Sequence, residues 1–247
     1  MEPVFDKLKD MLNAYYPTFY LQSYEYNRTW MKIQSISKSF ISKGTDVHLY
    51  KWNCVEGLLE LKAEGNVAVK FDEQDILEPA MALKYIYAIT DKKSKDIFVL
   101  EDFNAYIEEE DIKYYLRQIS HQAKFTNTHV IILSAIYKLP IELEKYITVL
   151  TTPLPDRKEL EITLREVERD CGITLSIDMR NKMVDAALGM TTMEADLAFC
   201  LAAVKDNLGS NAPYTVSSEK EQIIKKSGIL DYFPKNEDLK DVGGMDV

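Results

Sequence analysis

The chain has 247 residues, 46% of them hydrophobic and 28% charged, which is enough to bury a sizeable core in one large domain or two smaller ones. No apolar run approaches the roughly 18–20 residues that cross a bilayer, and the N-terminus MEPVFDKLKDMLNAYYP lacks the basic start and unbroken apolar stretch of a secretory signal, so a cytosol-like compartment and no membrane contact are expected. A formal net charge of −10 argues against a broad nucleic-acid surface, which needs clustered Lys and Arg.

In chain order, Val4, Phe5, Leu8, Met11, Leu12 and Tyr15 recur at spacings of three and four and predict a helix over 2–16, stopped by Pro17. The aromatic and β-branched run 18–24 predicts a buried strand, and 26–42 a helix ended by Lys43-Gly44. Further strands are expected at 47–52, 97–100, 130–133 and 147–150, with helices at 79–90 and 109–125 between them. Short apolar strands separated by helices describe an α/β domain with a mostly parallel sheet of about five strands, buried on both faces.

At Pro153-Leu154-Pro155 the character changes, and residues 156–207 read as helix without strands. Asp156, Ser176 and Thr191 or Thr192 offer oxygen-bearing caps for helices over 157–169, 178–188 and 193–207. The run LGSNAP is a loop, a last helix is expected from Ser217 or Ser218 to about Lys226, and the remainder reads as an extended linker. The expected domains are therefore 1–152, an α/β domain; 153–207, a small helical domain; and 208–247, a linker helix with the opening of whatever follows.

A nucleotide-binding α/β domain should carry a glycine-rich loop after its first strand, because small residues let backbone N–H groups wrap phosphates while a lysine neutralises them. That place holds Glu25-Tyr26-Asn27-Arg28-Thr29-Trp30, and no Gly-Lys-Ser or Gly-Lys-Thr occurs anywhere. The strand 97–100 ends in Glu101-Asp102-Phe103, which places carboxylates where such domains hold Mg²⁺, but with Phe103 after Asp102 instead of a second acid. Ser134 closes the next strand, a position for a polar sensor of phosphate. Glu101, Asp102 and Ser134 are thus candidate relics of a nucleotide site. No catalytic residue is identified, and His48, His121 and His129 share no metal-ligand spacing with the cysteines or acids. The widely separated Cys54, Cys171 and Cys200 fit buried, reduced thiols better than disulfides. The acid run Glu108 to Asp111 reads as a solvated helix start, and Lys225-Lys226 as part of a solvated linker helix.

In combination, Tyr16-Pro17 with Glu25 and Arg28, 97–103, 131–134, 140–150, Pro153-Leu154-Pro155-Asp156-Arg157, 187–191, 223–232 and the terminal Asp241-Val242-Gly243-Gly244 resemble the AAA family of ATPases. The likeness is to plastid, cyanobacterial and phage proteins in which a first AAA-like module has lost its nucleotide motifs and precedes an intact one. It implies a P-loop NTPase topology without its P-loop, followed by a helical lid with no arginine at its last helix start to act as a second sensor. It also implies that Val242, Gly243 and Gly244 open an intact module, beside the adenine base, whose Walker A loop would lie beyond residue 247.

The resemblance therefore implies ATP and Mg²⁺ for the parent protein and no cofactor for this stretch. Its expected partners are the downstream AAA module, further copies in a ring-like oligomer, and a protein to be remodelled. Two alternatives stand beside it: a residual enzyme holding Mg²⁺-ATP through Glu101 and Asp102, and a free-standing adaptor that kept only the fold.

Overall fold

A computed structural model describes residues 3–62, 64–72, 74–89 and 94–227. The chain divides into two compact units, Met1–Pro153 and Leu154–Val247. In the first, helix α1 (Pro3–Asn13) leads into strand β1 (Thr18–Gln22), α2 (Tyr26–Ile41) and β2 (Val47–Asn53). Then come β3 (Gly57–Lys62), β4 (Gly65–Ala68), the two-residue strands β5 (Lys70–Phe71) and β6 (Gln74–Asp75), and α3 (Pro79–Ala88). Strand β7 (Lys95–Glu101), helix α4 (Glu110–Thr126), β8 (Thr128–Ser134) and β9 (Ile147–Thr151) complete the unit.

The main sheet has seven strands in the order β4-β3-β2-β7-β8-β1-β9. Strands β2, β7, β8, β1 and β9 run parallel, and these are the five that continuous apolar runs predict. Strands β3 and β4 add an antiparallel extension at the β2 edge. Gly57 makes the turn into β3 at φ +73°, where a Cβ would lie 2.8 Å from the Ile76 carbonyl oxygen, so a side chain is excluded there.

Both faces are covered at the centre of the sheet, which explains why 19–21, 97–100 and 130–133 of β1, β7 and β8 are apolar instead of alternating. On one face Phe5, Leu8 and Leu12 of α1 and Ile33, Ile36 and Phe40 of α2 pack on Phe19, Leu21, Ile97, Val99 and Ile131. On the other, α3 and α4 bring Leu83, Ile86, Leu116 and Ile119 against Trp52, Phe98, Leu100 and Ile132. Burying one such aliphatic side chain is worth about 1.5–3 kcal/mol.

At the amino ends of the strands Lys95 is buried. Its ammonium donates to the Leu12 carbonyl oxygen at 2.8 Å and to Asn127 Oδ1 at 3.2 Å, and lies over the rings of Tyr15 and Phe40. A cation there meets the negative end of the α1 dipole. Burial pulls the Lys95 pKa down to about 8. His129, 3.3 Å away, is held at about 4 by burial and by the Lys95 charge, so it is neutral near pH 7.

The second unit is helical: α5 (Arg157–Cys171), α6 (Ile177–Ala187), α7 (Thr192–Asp206) and α8 (Ala212–Ser227). Asp156 with Glu159 and Thr191 with Glu194 form reciprocal capping boxes, and Ser176 accepts from the Met179 N–H, each satisfying amides that a helix start leaves orphaned. Gly172, at φ +67°, ends α5. Leu160, Leu164, Val167, Met183, Phe199, Ala202 and Val216 form the core, and Arg180 donates to buried Glu168 at 2.9 and 3.1 Å. Helix α8 starts at Ala212, earlier than the serines 217–218 suggest, because Ala212 and Val216 join this core.

The expectation of buried thiols is corrected: Cys54, Cys171 and Cys200 are all exposed. Cys54 sits in the tip between β2 and β3, Cys171 is the last residue of α5, and Cys200 lies off the α7 stripe Ala195, Ala198, Phe199, Ala202 that faces the core. Small apolar character alone did not place them.

Candidate functional site at the carboxyl ends of the strands

In open α/β sheets ligands bind outside the carboxyl ends of the strands. Here the tips of β1, β7 and β8 meet. The connection from β1 to α2 is only Ser23-Tyr24-Glu25. Ser23 is buried, and its hydroxyl lies 2.8 Å from Thr29 Oγ1, accepts from the Glu25 N–H at 3.1 Å and from the Thr152 hydroxyl at 2.6 Å. Arg28, on the first turn of α2, donates to the Pro153 carbonyl oxygen at 2.8 Å. This connection is therefore tied to the end of β9 by side chains instead of being an open turn of free amides.

Glu101 ends β7 and forms an ion pair with Lys51 of β2 at 3.0 Å, with the Lys51 ammonium also over the Trp30 ring. Asp102 follows in the left-handed region at φ 52°, a conformation that short polar residues tolerate better than most. Its N–H donates to the Leu133 carbonyl oxygen at 2.9 Å, which turns its carboxylate toward α2. There the Tyr26 hydroxyl donates to Asp102 Oδ1 and accepts from the Ala135 N–H at 3.1 Å. Burial, and then the Asp102 carboxylate that accepts its proton, push the Tyr26 phenol up to about 12.

Ser134, at the tip of β8, is buried and donates to Asn104 Oδ1 at 2.8 Å. The structure thus brings Glu101, Asp102 and Ser134 to adjacent strand ends, but each is engaged by a different partner. Glu101 faces Lys51, Asp102 faces Tyr26 and Ser134 faces Asn104. Tyr26 and Lys51 are contributors that sequence reading missed, and the available signal was a tyrosine as the first helical residue after the short connection from β1. Val242, Gly243 and Gly244 lie outside the described residues. Among the described residues no group of three or more His, Cys, Asp or Glu is placed to hold a metal ion.

A family model described as "SpoVK-like AAA ATPase, N-terminal domain" matches residues 4–152, and one described as "SpoVK-like AAA ATPase, second domain" matches 157–227. Among curated relatives, the uncharacterized AAA domain-containing protein ycf46 of Trieres chinensis is 26% identical over 98% of this chain and 46% of its own length. The ycf46 protein of Pyropia yezoensis is 23% identical over 97% and 46%. The chain therefore spans about half the length of the curated relatives it matches.

Among solved structures, C. elegans PCH-2 superposes with a TM-score of 0.56 at 12% identity, covering 91% of this chain and 68% of that one. The Thermotoga maritima RuvB Holliday junction branch migration motor gives 0.51 at 13%, covering 88% and 68%. These likenesses show the fold: a mostly parallel α/β sheet followed by a helical domain.

Proposed function

We propose that this chain, which belongs to the SpoVK-like AAA ATPase family, is a non-catalytic N-terminal region of its parent protein, with hydrolysis of Mg²⁺-ATP carried out elsewhere in that protein. In this reading residues 1–152 are an AAA-like domain with relic nucleotide motifs and the helices after Pro153 are its lid. The region's work is assembly with further subunits or engagement of a protein substrate.

One observation carries the reading. The Tyr26 side chain lies between the start of α2 and the tips of β7 and β8, and its hydroxyl uses the Asp102 carboxylate and the Ala135 amide. A Mg²⁺-triphosphate needs free amides, a neutralising cation and a carboxylate open to the metal or its waters. The residues present do not fit that group. The loop has no glycine, one oxygen of the Asp102 carboxylate accepts from Tyr26, and Lys51 of β2 pairs with Glu101.

Calorimetric titration of the chain with Mg²⁺-ATP is expected to show no saturable binding. Micromolar affinity that disappears in Asp102→Ala would overturn the proposal in favour of a residual nucleotide site.

A further inference from the structure

The amino ends of β7 and β8 carry two bases that take no part at the strand tips. His129 is buried, and its Nδ1 lies 2.8 Å from the Tyr16 carbonyl oxygen. That oxygen only accepts, so Nδ1 carries the hydrogen and the lone pair sits on Nε2. Nε2 faces the Lys95 ammonium at 3.3 Å and accepts from it. Lys95 in turn donates to the Leu12 carbonyl oxygen and to Asn127 Oδ1. Two side chains from two strands therefore hold the end of α1, one at Leu12 and one at Tyr16.

The other groups around the pair are the Tyr15 ring, 5.5 Å from the Lys95 ammonium, the Phe40 ring of α2 at 5.2 Å, and Asn127, whose amide oxygen is also 3.3 Å from His129 Nε2. The Asp46 carbonyl oxygen accepts from the Lys95 N–H, while the Asp46 carboxylate lies 3.7 Å from His48. Asp96 accepts from the Ser94 hydroxyl and acts on Tyr50 and Tyr85, on the other face of β7. A second proton on the pair would set an imidazolium against an ammonium at 3.3 Å inside the protein, and one hydrogen bond to a neutral amide does not offset that repulsion. The docked pair thus holds one positive charge. Burial and then the Lys95 charge keep His129 at about 4, and burial keeps Lys95 at about 8. With α1 lifted away, both bases reach water and hold two charges.

The turn between α1 and β1 supplies a hinge. Tyr15 sits in the left-handed region at φ 60°, which a bulky residue adopts only at a cost. The Tyr16 N–H donates to the Met11 carbonyl oxygen at 3.0 Å, and its carbonyl oxygen accepts from His129, so the held end of α1 keeps Tyr15 there. Beyond it, the Pro17 carbonyl oxygen accepts from the Val130 N–H at 2.9 Å, which fixes the start of β1 whether or not α1 is docked. We propose that Lys95 and His129 form an acid-released latch: a second proton on the pair frees the end of α1, which turns about Tyr15 and bares its Phe5, Leu8 and Leu12. The latch is independent of the nucleotide reading, and binding of Mg²⁺-ATP by the chain would leave it untouched.

Released α1 lets His129 take its proton in the ordinary histidine range, so opening rises as pH falls from 7. Above pH 8 the docked pair gives up its remaining charge before a solvated lysine does, so docking tightens there. Amide hydrogen exchange of the full chain, corrected for the intrinsic rate at each pH, reads the opening of α1. That opening is expected to rise about 20-fold from pH 7 to pH 5 and to fall about 10-fold from pH 7 to pH 9, while α4 stays level.

His129→Gln keeps an acceptor for Lys95 but cannot titrate, and is expected to abolish the acid rise while sparing the alkaline tightening. Nitrogen NMR of the wild-type imidazoles gives a readout that needs no variant: His129 should be the Nδ1–H tautomer and still largely unprotonated at pH 5 in the docked state. The proposal is overturned by α1 opening that is level between pH 7 and pH 5, or by an equal rise in α4, which would mean that acid loosens the whole sheet. It is overturned equally by an acid rise that survives in His129→Gln, or by a docked His129 that titrates at its ordinary value of about 6.5.

Discussion

At the scale of single residues, Tyr26 sets the character of the strand tips, because one hydroxyl both donates to Asp102 and accepts from the Ala135 amide. Tyr26→Phe keeps the ring and removes both bonds. It is expected to cost about 0.5–1.5 kcal/mol in urea unfolding, the net worth of hydrogen bonds at a partly exposed site. The pH dependence follows from the raised phenol. With a folded pKa of about 12 against an ordinary value near 10, the unfolded chain loses this proton first. Stability is therefore flat in this term below pH 10 and falls between pH 10 and 12. Tyr20, Tyr50 and Tyr85 are shifted in the same direction, so Tyr26→Phe should reduce the slope without abolishing it.

Glu101, Asp102 and Ser134 were legible at this scale because a strand-end carboxylate or hydroxyl follows directly from an apolar run. Their partners were not. Tyr26 and Asp102 are paired by topology, and no local period links them.

At the scale of elements, β1, β7 and β8 are legible as apolar runs, since a strand covered on both faces has little polar to interrupt it, and β2 and β9 as aromatic and β-branched stretches. Strands β3 and β4 were missed for the opposite reason. Their residues Gly57 to Lys62 and Gly65 to Ala68 mix glycine, charge and aliphatics, and their pairing, β3 on the β2 edge and β4 on β3, comes from the sheet instead of from intrinsic preference. The helical caps were readable because a cap is a local device, complete within four residues.

Helix α1 shows what local patterns omit. Its apolar stripe predicts that it packs, but its anchor is Lys95, which donates to the Leu12 carbonyl oxygen. Lys95→Met should cost about 2–3 kcal/mol, the scale of a charge-assisted bond lost with its acceptor left buried. Hydrogen exchange of the α1 amides is expected to rise more than that of α4. Equal increases in both helices would mean that Lys95 stabilises the sheet generally and does not anchor α1.

At the scale of the whole molecule, the α/β sheet with its helical domain and the family were readable from the order of motifs. What the sequence could not supply was the way the strand tips are closed, on which the non-catalytic reading depends.

The position of β1 has a further consequence, for the order in which the chain acquires structure. Thr18 pairs with Val130 on one side and Ile147 on the other, so a strand made early in synthesis stays without neighbours until nearly all of its unit exists. The capped helices α5 to α7, by contrast, meet partners close in sequence, and contacts of short range form sooner. Pulse-labelled refolding should therefore protect amides of α5 to α7 before those of β1 and β9. Protection of β1 ahead of α5 would show that the sheet nucleates first. Until Ile147 to Thr151 arrives, β1 presents an open apolar edge, and a ribosome that pauses in this stretch would expose a hazard for misassociation that the finished sheet conceals.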